Sequence, residues 1–131
     1  MSTHEIKRAV LSKVARGKRI RPAGQALYRI DGTLLHIRFC SQDRGGSARY
    51  KFNINPNTLR AEWECWICGD DSVYYLIPIN VIRRLYNDPG AYVDNHHPNR
   101  RVVSVDTLVD ETLYARGGKK ISVMKYRGET L

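Results

Sequence analysis

Five short apolar segments follow one another between Pro22 and Pro78, and turn-forming residues separate them. They span residues 27–30, 33–39, 50–54, 63–68 and 73–77. Asp31-Gly32 joins the first two, and Asp-Gly between apolar runs is typical of a two-residue hairpin turn. Apolar runs this short, rich in β-branched and aromatic residues, favour strands over helices. This half of the chain therefore predicts a β-sheet that begins with a hairpin.

A helix is predicted before these strands. Ser2 and Glu5 have the spacing of a capping box, in which each residue hydrogen-bonds the backbone of the other. Ile6, Val10 and Val14 then recur at every fourth position and form one apolar face. The sequence thus predicts an amphipathic helix that packs this face on the sheet.

The remainder of the chain predicts shorter elements. We expect a helix over 79–86, a strand over 102–105, a helix over 106–115 and a last strand over 121–126. A length of 131 residues fits a single domain. The expected fold class is α/β (α+β), with a single central mixed β-sheet flanked by helices. We divide the domain into a core, 1–90, and a C-terminal extension, 91–131.

The charge of the chain indicates an anionic partner. The 22 Lys and Arg residues outnumber the 13 acids, which gives a net charge of +9. This balance favours polyanions, chiefly DNA or RNA, because basic side chains contact phosphates and release counterions. The basic residues concentrate in the first 21 positions and in the Gly-rich segment 41–51. They include Lys7, Arg8, Lys18, Arg19 and Arg21 in the first group, and Arg44, Arg49 and Lys51 in the second.

Cys65-x-x-Cys68 raises the question of a metal site. Structural zinc needs four ligands, and alternation along a strand would place these two side chains on opposite faces. We therefore expect two core cysteines and no metal ligands. An odd count of three cysteines suits a reducing compartment, no apolar run approaches the ~20 residues of a membrane span, and no secretory signal is visible. A cytoplasmic protein without a membrane partner is expected.

The order of the first elements resembles that of small PD-(D/E)xK nuclease-like proteins. The resemblance is to the Holliday-junction-resolvase and homing-endonuclease-like branch and covers roughly residues 2–87. It rests on a helix with an early glutamate, Glu5, followed by the hairpin around Asp31-Gly32 and the later strands. It implies a restriction-endonuclease-like fold, double-stranded DNA as partner and a homodimer.

The family's catalytic residues differ here. Where the family has Tyr-Asp-Leu, this chain has Tyr28-Arg29-Ile30, and where it has Glu or Gln, any residue, then Lys, this chain has His36-Ile37-Arg38. Arginine cannot ligate Mg²⁺, and it exchanges a proton far less readily than lysine. We therefore expect a DNA-binding protein with a degenerate catalytic site that needs no cofactor. Arg29, His36 and Arg38 would then share an exposed groove and bind phosphate.

Two alternatives remain open at this point. In the first, the protein is a Mg²⁺-dependent DNA endonuclease of the homing or junction-cleaving type, with a displaced site formed by Glu5, Asp31, His36 and Arg38. In the second, it is a basic accessory protein of a larger assembly.

Overall fold

The computed structural model describes residues 1–41 and 46–131, and within these ranges it contains two α-helices and ten β-strands. The helices are α1 (Thr3–Ala15) and α2 (Ile79–Asn87). The strands are β1 (Ile20–Gly24), β2 (Leu27–Ile30), β3 (Thr33–Cys40), β4 (Arg49–Ile54), β5 (Trp63–Cys68), β6 (Tyr74–Pro78), β7 (Tyr92–Val93), β8 (Arg101–Asp106), β9 (Glu111–Ala115) and β10 (Lys119–Ser122). The α+β class is confirmed.

Sheet A contains five strands in the order β1-β2-β3-β5-β6. It is mixed, because β3 and β5 are parallel while the other neighbours are antiparallel. The predicted hairpin is present: Ile30 pairs with Thr33, and Asp31 and Gly32 have φ angles of 47° and 89°. Positive φ at both central residues is what a type I′ turn requires, which explains Asp-Gly at this place.

The expectation of one central sheet is wrong, because the structure contains a second sheet. Sheet B has the order β10-β9-β8-β4, with β7 also paired to β8, and all of its pairs are antiparallel. β4 follows β3 in the chain but leaves sheet A to pair with β8, from Arg49 opposite Asp106 to Ile54 opposite Arg101. The C-terminal extension therefore completes the core instead of being appended to it.

The two sheets and α1 form three layers. The predicted apolar face of α1 is buried against one face of sheet A, where it meets Leu35, Ile37, Cys65 and Ile67. The opposite face of sheet A packs against sheet B and α2, and Trp66 stacks on Phe52 with 5.2 Å between the ring centroids. Cys65 and Cys68 lie in these two different core clusters, which confirms that they are core residues on opposite faces. Within the described ranges, no helix is both long and apolar enough to cross a membrane.

The prediction of a helix over 106–115 is wrong. Asp106 accepts a hydrogen bond from the backbone of Leu108, Asp110 has a φ of 54°, and the chain turns back into β9. Thr112 of β9 pairs with Val105 of β8. The β-branched residues here fit a pleated surface better than a helix. The last predicted strand is also shorter than expected, since β10 ends at Ser122 and a 3₁₀ turn, Met124–Tyr126, follows.

Candidate nucleic-acid interface

Three arginines share one face at the edge of sheet A. β1 is the edge strand, and Arg21 lies directly opposite Arg29 of β2 in the antiparallel register. Arg19 precedes Arg21 by two residues and so projects on the same side. All three side chains are exposed. Together with Asp31 and Gly32 they line a depression of about 420 Å³, and Arg19, Arg21 and Arg29 are hereafter the arginine cluster.

The carboxylate of Asp31 bonds to the backbone of the arginine cluster. Its Oδ1 accepts a hydrogen bond of 3.1 Å from the backbone N of Arg19, while its own N–H donates to Arg19 O. Arg29 Nη1 donates to the carbonyl of Gly32 at 2.9 Å. Within residues 1–41 and 46–131, none of the three arginines forms an ion pair with a carboxylate. The cluster thus presents cationic groups that form no ion pair with an acid of the described residues.

His36 does not belong to an exposed groove, and this part of the expectation is wrong. Its side chain points into the interior between the two sheets and is 3% exposed. The residue across the parallel pair is Glu64, which is fully buried, and His36 Nδ1 lies 3.6 Å from Glu64 Oε1. Glu64 Oε1 also accepts a hydrogen bond from the indole of Trp66. The histidine is therefore a core residue beside a buried acid.

Arg38 lies two residues farther along β3, where the interior opens to solvent. Its guanidinium is half-buried and donates to Asn53 O of β4 at 3.0 Å. Burial lowers the pKa of Arg38; the charge of Glu64 opposes this effect and that of Arg100 adds to it. Lys51 lies on the same cleft, which has a volume of about 350 Å³. Arg38 and Lys51 thus form a second cationic site, separate from the arginine cluster.

The other basic residues predicted from the sequence lie in several places. Lys7 and Arg8 are on α1 and line depressions between this helix and sheet A. Lys18 is exposed in the turn between α1 and β1. Arg49 is on β4 of sheet B, with its Nε 4.0 Å from Asp106 Oδ2. Arg44 lies outside the residues that the structure describes.

Three of the residues expected to form a displaced metal site, Glu5, Asp31 and His36, lie on different elements of the fold. Glu5 remains in the capping box at the start of α1, where the backbone hydrogen bond from Ser2 lowers its pKa. Asp31 belongs to the β2–β3 turn and His36 to the interior. Among the described residues, no three side chains of histidine, cysteine, aspartate or glutamate come together as a metal-binding group.

Sequence reasoning missed Glu64. The sequence predicts a strand over 63–68, but alternation alone does not show which strand lies beside it, so it carries no signal that Glu64 pairs with His36. Comparisons of the chain with protein-family models, with curated proteins and with solved structures give no match.

Proposed function

We propose that this protein binds double-stranded DNA through its phosphate backbone and without a metal ion, and that the arginine cluster makes the central contact. The observation that carries the proposal is the pair Arg21 and Arg29, placed directly opposite each other on an exposed edge of sheet A. Like charges at opposed positions of an antiparallel pair destabilise it. A phosphate placed between the two guanidinium groups would turn this repulsion into attraction.

The chemistry of arginine supports a phosphate as the ligand. Guanidinium groups bind phosphate oxygens through two parallel hydrogen bonds, and such charge-assisted bonds are stronger than neutral ones. Arg19 adds a third cation on the same face. Backbone contacts of this kind position a protein on DNA and do not read base sequence. We therefore expect affinity with little sequence preference from this surface.

The rest of the molecule agrees with an anionic partner. The net charge of +9 attracts DNA over long range. The expected nuclease resemblance supports duplex DNA as the polyanion, a homodimer as the acting species and an intracellular setting. Sedimentation of the protein alone and with DNA tests the dimer: a monomer under both conditions contradicts it.

The proposal is tested by fluorescence anisotropy with a labelled duplex of about 20 base pairs. Arg21→Gln with Arg29→Gln is expected to weaken binding about a hundredfold, since each of the two lost charged hydrogen bonds contributes about 1.5 kcal/mol. The matched control is Arg84→Gln with Lys120→Gln, which removes two exposed charges from α2 and β10. It is expected to weaken binding much less. Equal weakening by both pairs would show that general charge, not this cluster, binds the DNA.

The same assay tests the need for metal. Affinity is expected to stay the same with EDTA and with Mg²⁺, because the proposed contacts are formed by arginines. A duplex that binds only with Mg²⁺, or that is cut when Mg²⁺ is added, would contradict the metal-free function.

A further inference from the structure

Three neighbouring depressions share lining residues, and two of them lie along α1. The first lies between α1 and β1, has a volume of about 440 Å³ and shares His4 and Tyr28 with the second. The second, at the start of α1, has a volume of about 510 Å³ and shares Arg38 and Phe39 with the cleft beside Lys51. The three depressions together are hereafter the α1 groove; their lining residues extend from β1 across β2 and the end of β3 to β4.

Cations line the α1 groove along its length. Arg8 is in the first section, Lys7 and Arg38 in the second, and Arg38 with Lys51 in the third. No carboxylate is among the described residues that line it. A path of positive charge without acids suits a chain of phosphates better than a single anion.

Aromatic rings alternate with these cations. Tyr28 and Phe39 lie on the face of sheet A that α1 covers, and both are half-buried at the margin of the core. Tyr28 belongs to the first and second sections, and Phe39 to the second and third. Each ring therefore stands at a junction between sections. Cationic grooves with aromatic rings at intervals are how proteins hold single-stranded nucleic acid, because bases stack on the rings.

The register of sheet A explains why the groove is open at this place. The pairing of β2 with β3 ends with Leu27 opposite His36, whereas β5 continues along β3 to Cys40. β3 therefore extends beyond β2 and leaves a step beside α1. Each section has the volume of a small-molecule site, which admits a single nucleotide. A double helix, whose major groove alone is about 12 Å wide, is far too large to enter.

We propose that the α1 groove binds a single strand of DNA, with bases against Tyr28 and Phe39 and phosphates against Lys7 and Arg38. This inference rests on the proposed duplex binding, since β1 is shared by both sites. Arg21 of β1 belongs to the arginine cluster, while Ile20 and Pro22 line the α1 groove on the opposite face of β1. A duplex on one face of β1 could therefore continue as a single strand along the other. The ligand of this protein is then a duplex with a single-stranded extension.

The test begins with the unaltered protein and two labelled strands of about 12 nucleotides, oligo-dT and an abasic strand with the same phosphates. Oligo-dT is expected to bind about tenfold more tightly, the scale of stacking one base on an aromatic ring. A duplex with a dT overhang is expected to bind more tightly than the blunt duplex. Equal affinity for oligo-dT and the abasic strand would overturn the inference.

Variants then locate the site. Tyr28→Leu with Phe39→Leu keeps apolar side chains against the core and removes the rings, so it is expected to abolish the preference for oligo-dT while leaving blunt-duplex binding unchanged. Arg21→Gln with Arg29→Gln is the matched control. It is expected to weaken blunt-duplex binding while keeping the preference for oligo-dT. A preference for oligo-dT that survives in the Tyr28 and Phe39 variant would place the single strand elsewhere and contradict the inference. If both variants still bind the blunt duplex as tightly as the parent, the proposed role of the arginine cluster is contradicted instead. The two failures are therefore distinguishable.

Discussion

His36 Nδ1 lies 3.6 Å from Glu64 Oε1 across the parallel β3–β5 pair, and both side chains are buried. This separation is longer than a hydrogen bond, and the second carboxylate oxygen of Glu64 has no partner among the described residues. The indole of Trp66 does donate to Glu64 Oε1 at 3.0 Å. The acid therefore bonds to Trp66 and lies near two further polar groups, the buried His36 and the half-buried Arg38.

Glu64→Leu is expected to lower the free energy of unfolding by about 3 kcal/mol, because it leaves a buried indole N–H and a half-buried guanidinium without their acid. Glu64→Gln keeps the side-chain volume and the acceptor for Trp66, so it is expected to lower the free energy of unfolding by less than Glu64→Leu does. Urea unfolding of both variants measures the difference. A Glu64→Leu protein as stable as the parent would show that the acid is not needed for the fold.

Asp110 is expected to make stability depend on pH below about pH 4. Burial alone would raise the pKa of Asp110, but hydrogen bonds from Tyr75 and Arg127 outweigh it and lower that pKa. An acid whose pKa is lower in the folded state contributes stability above its unfolded pKa, about 3.9, and loses it as pH falls through the folded pKa. Asp110→Asn is therefore expected to destabilise the protein at neutral pH and much less near pH 2.

The measurement is urea unfolding of the parent and of Asp110→Asn at both pH values. Asparagine tolerates the positive φ of 54° at this position, so the variant tests the charge and not the backbone. A difference in unfolding free energy that is the same at both pH values would contradict the assignment.

The salt dependence of duplex binding is expected to show directly whether the arginine cluster contacts phosphates. If about 6 phosphates are engaged, the slope of log K against log salt is near −5. Removing two of the contacts by Arg21→Gln with Arg29→Gln is expected to make the slope less negative by about 2. Titrations between low and physiological salt give both slopes. An unchanged slope in the double variant would mean that neither arginine contacts phosphate.

The cysteines are expected to differ in reactivity. Cys65 and Cys68 are buried, and desolvation raises the pKa of both thiols, while Cys40 is half-buried. Because the thiolate is the reactive form, Cys65 and Cys68 are expected to react with a thiol reagent only after unfolding, and Cys40 sooner. Counting labelled thiols in the native protein over time, with a Cys40→Ser control, checks this. Fast labelling of Cys65 in the Cys40→Ser protein would refute the packing described here.

Elements whose signals are local could be predicted from the sequence. Ser2 and Glu5 determine the start of α1 within a single turn, and Asp31-Gly32 determines the first hairpin, because both depend on residues a few positions apart. The segment 106–115 lacked such a signal, and its apolar pattern suited either a helix or a strand. Its pairing with β8 decided between them, since that pairing supplies the hydrogen bonds of β9.

The sequence by itself determined the basic character of this protein, the helix α1, the first hairpin and the core placement of its CxxC cysteines. Only the tertiary structure decided which strands pair. β4 pairs with β8 about fifty residues later in the chain, and the parallel β3–β5 pair brings Glu64 beside His36. The β2–β3 register places Leu27, not Arg29, opposite His36, and the β1–β2 register places Arg29 opposite Arg21. Period-2 alternation tells which residues share a face, but the partner of that face depends on contacts between distant segments, and these form only when the whole chain is packed.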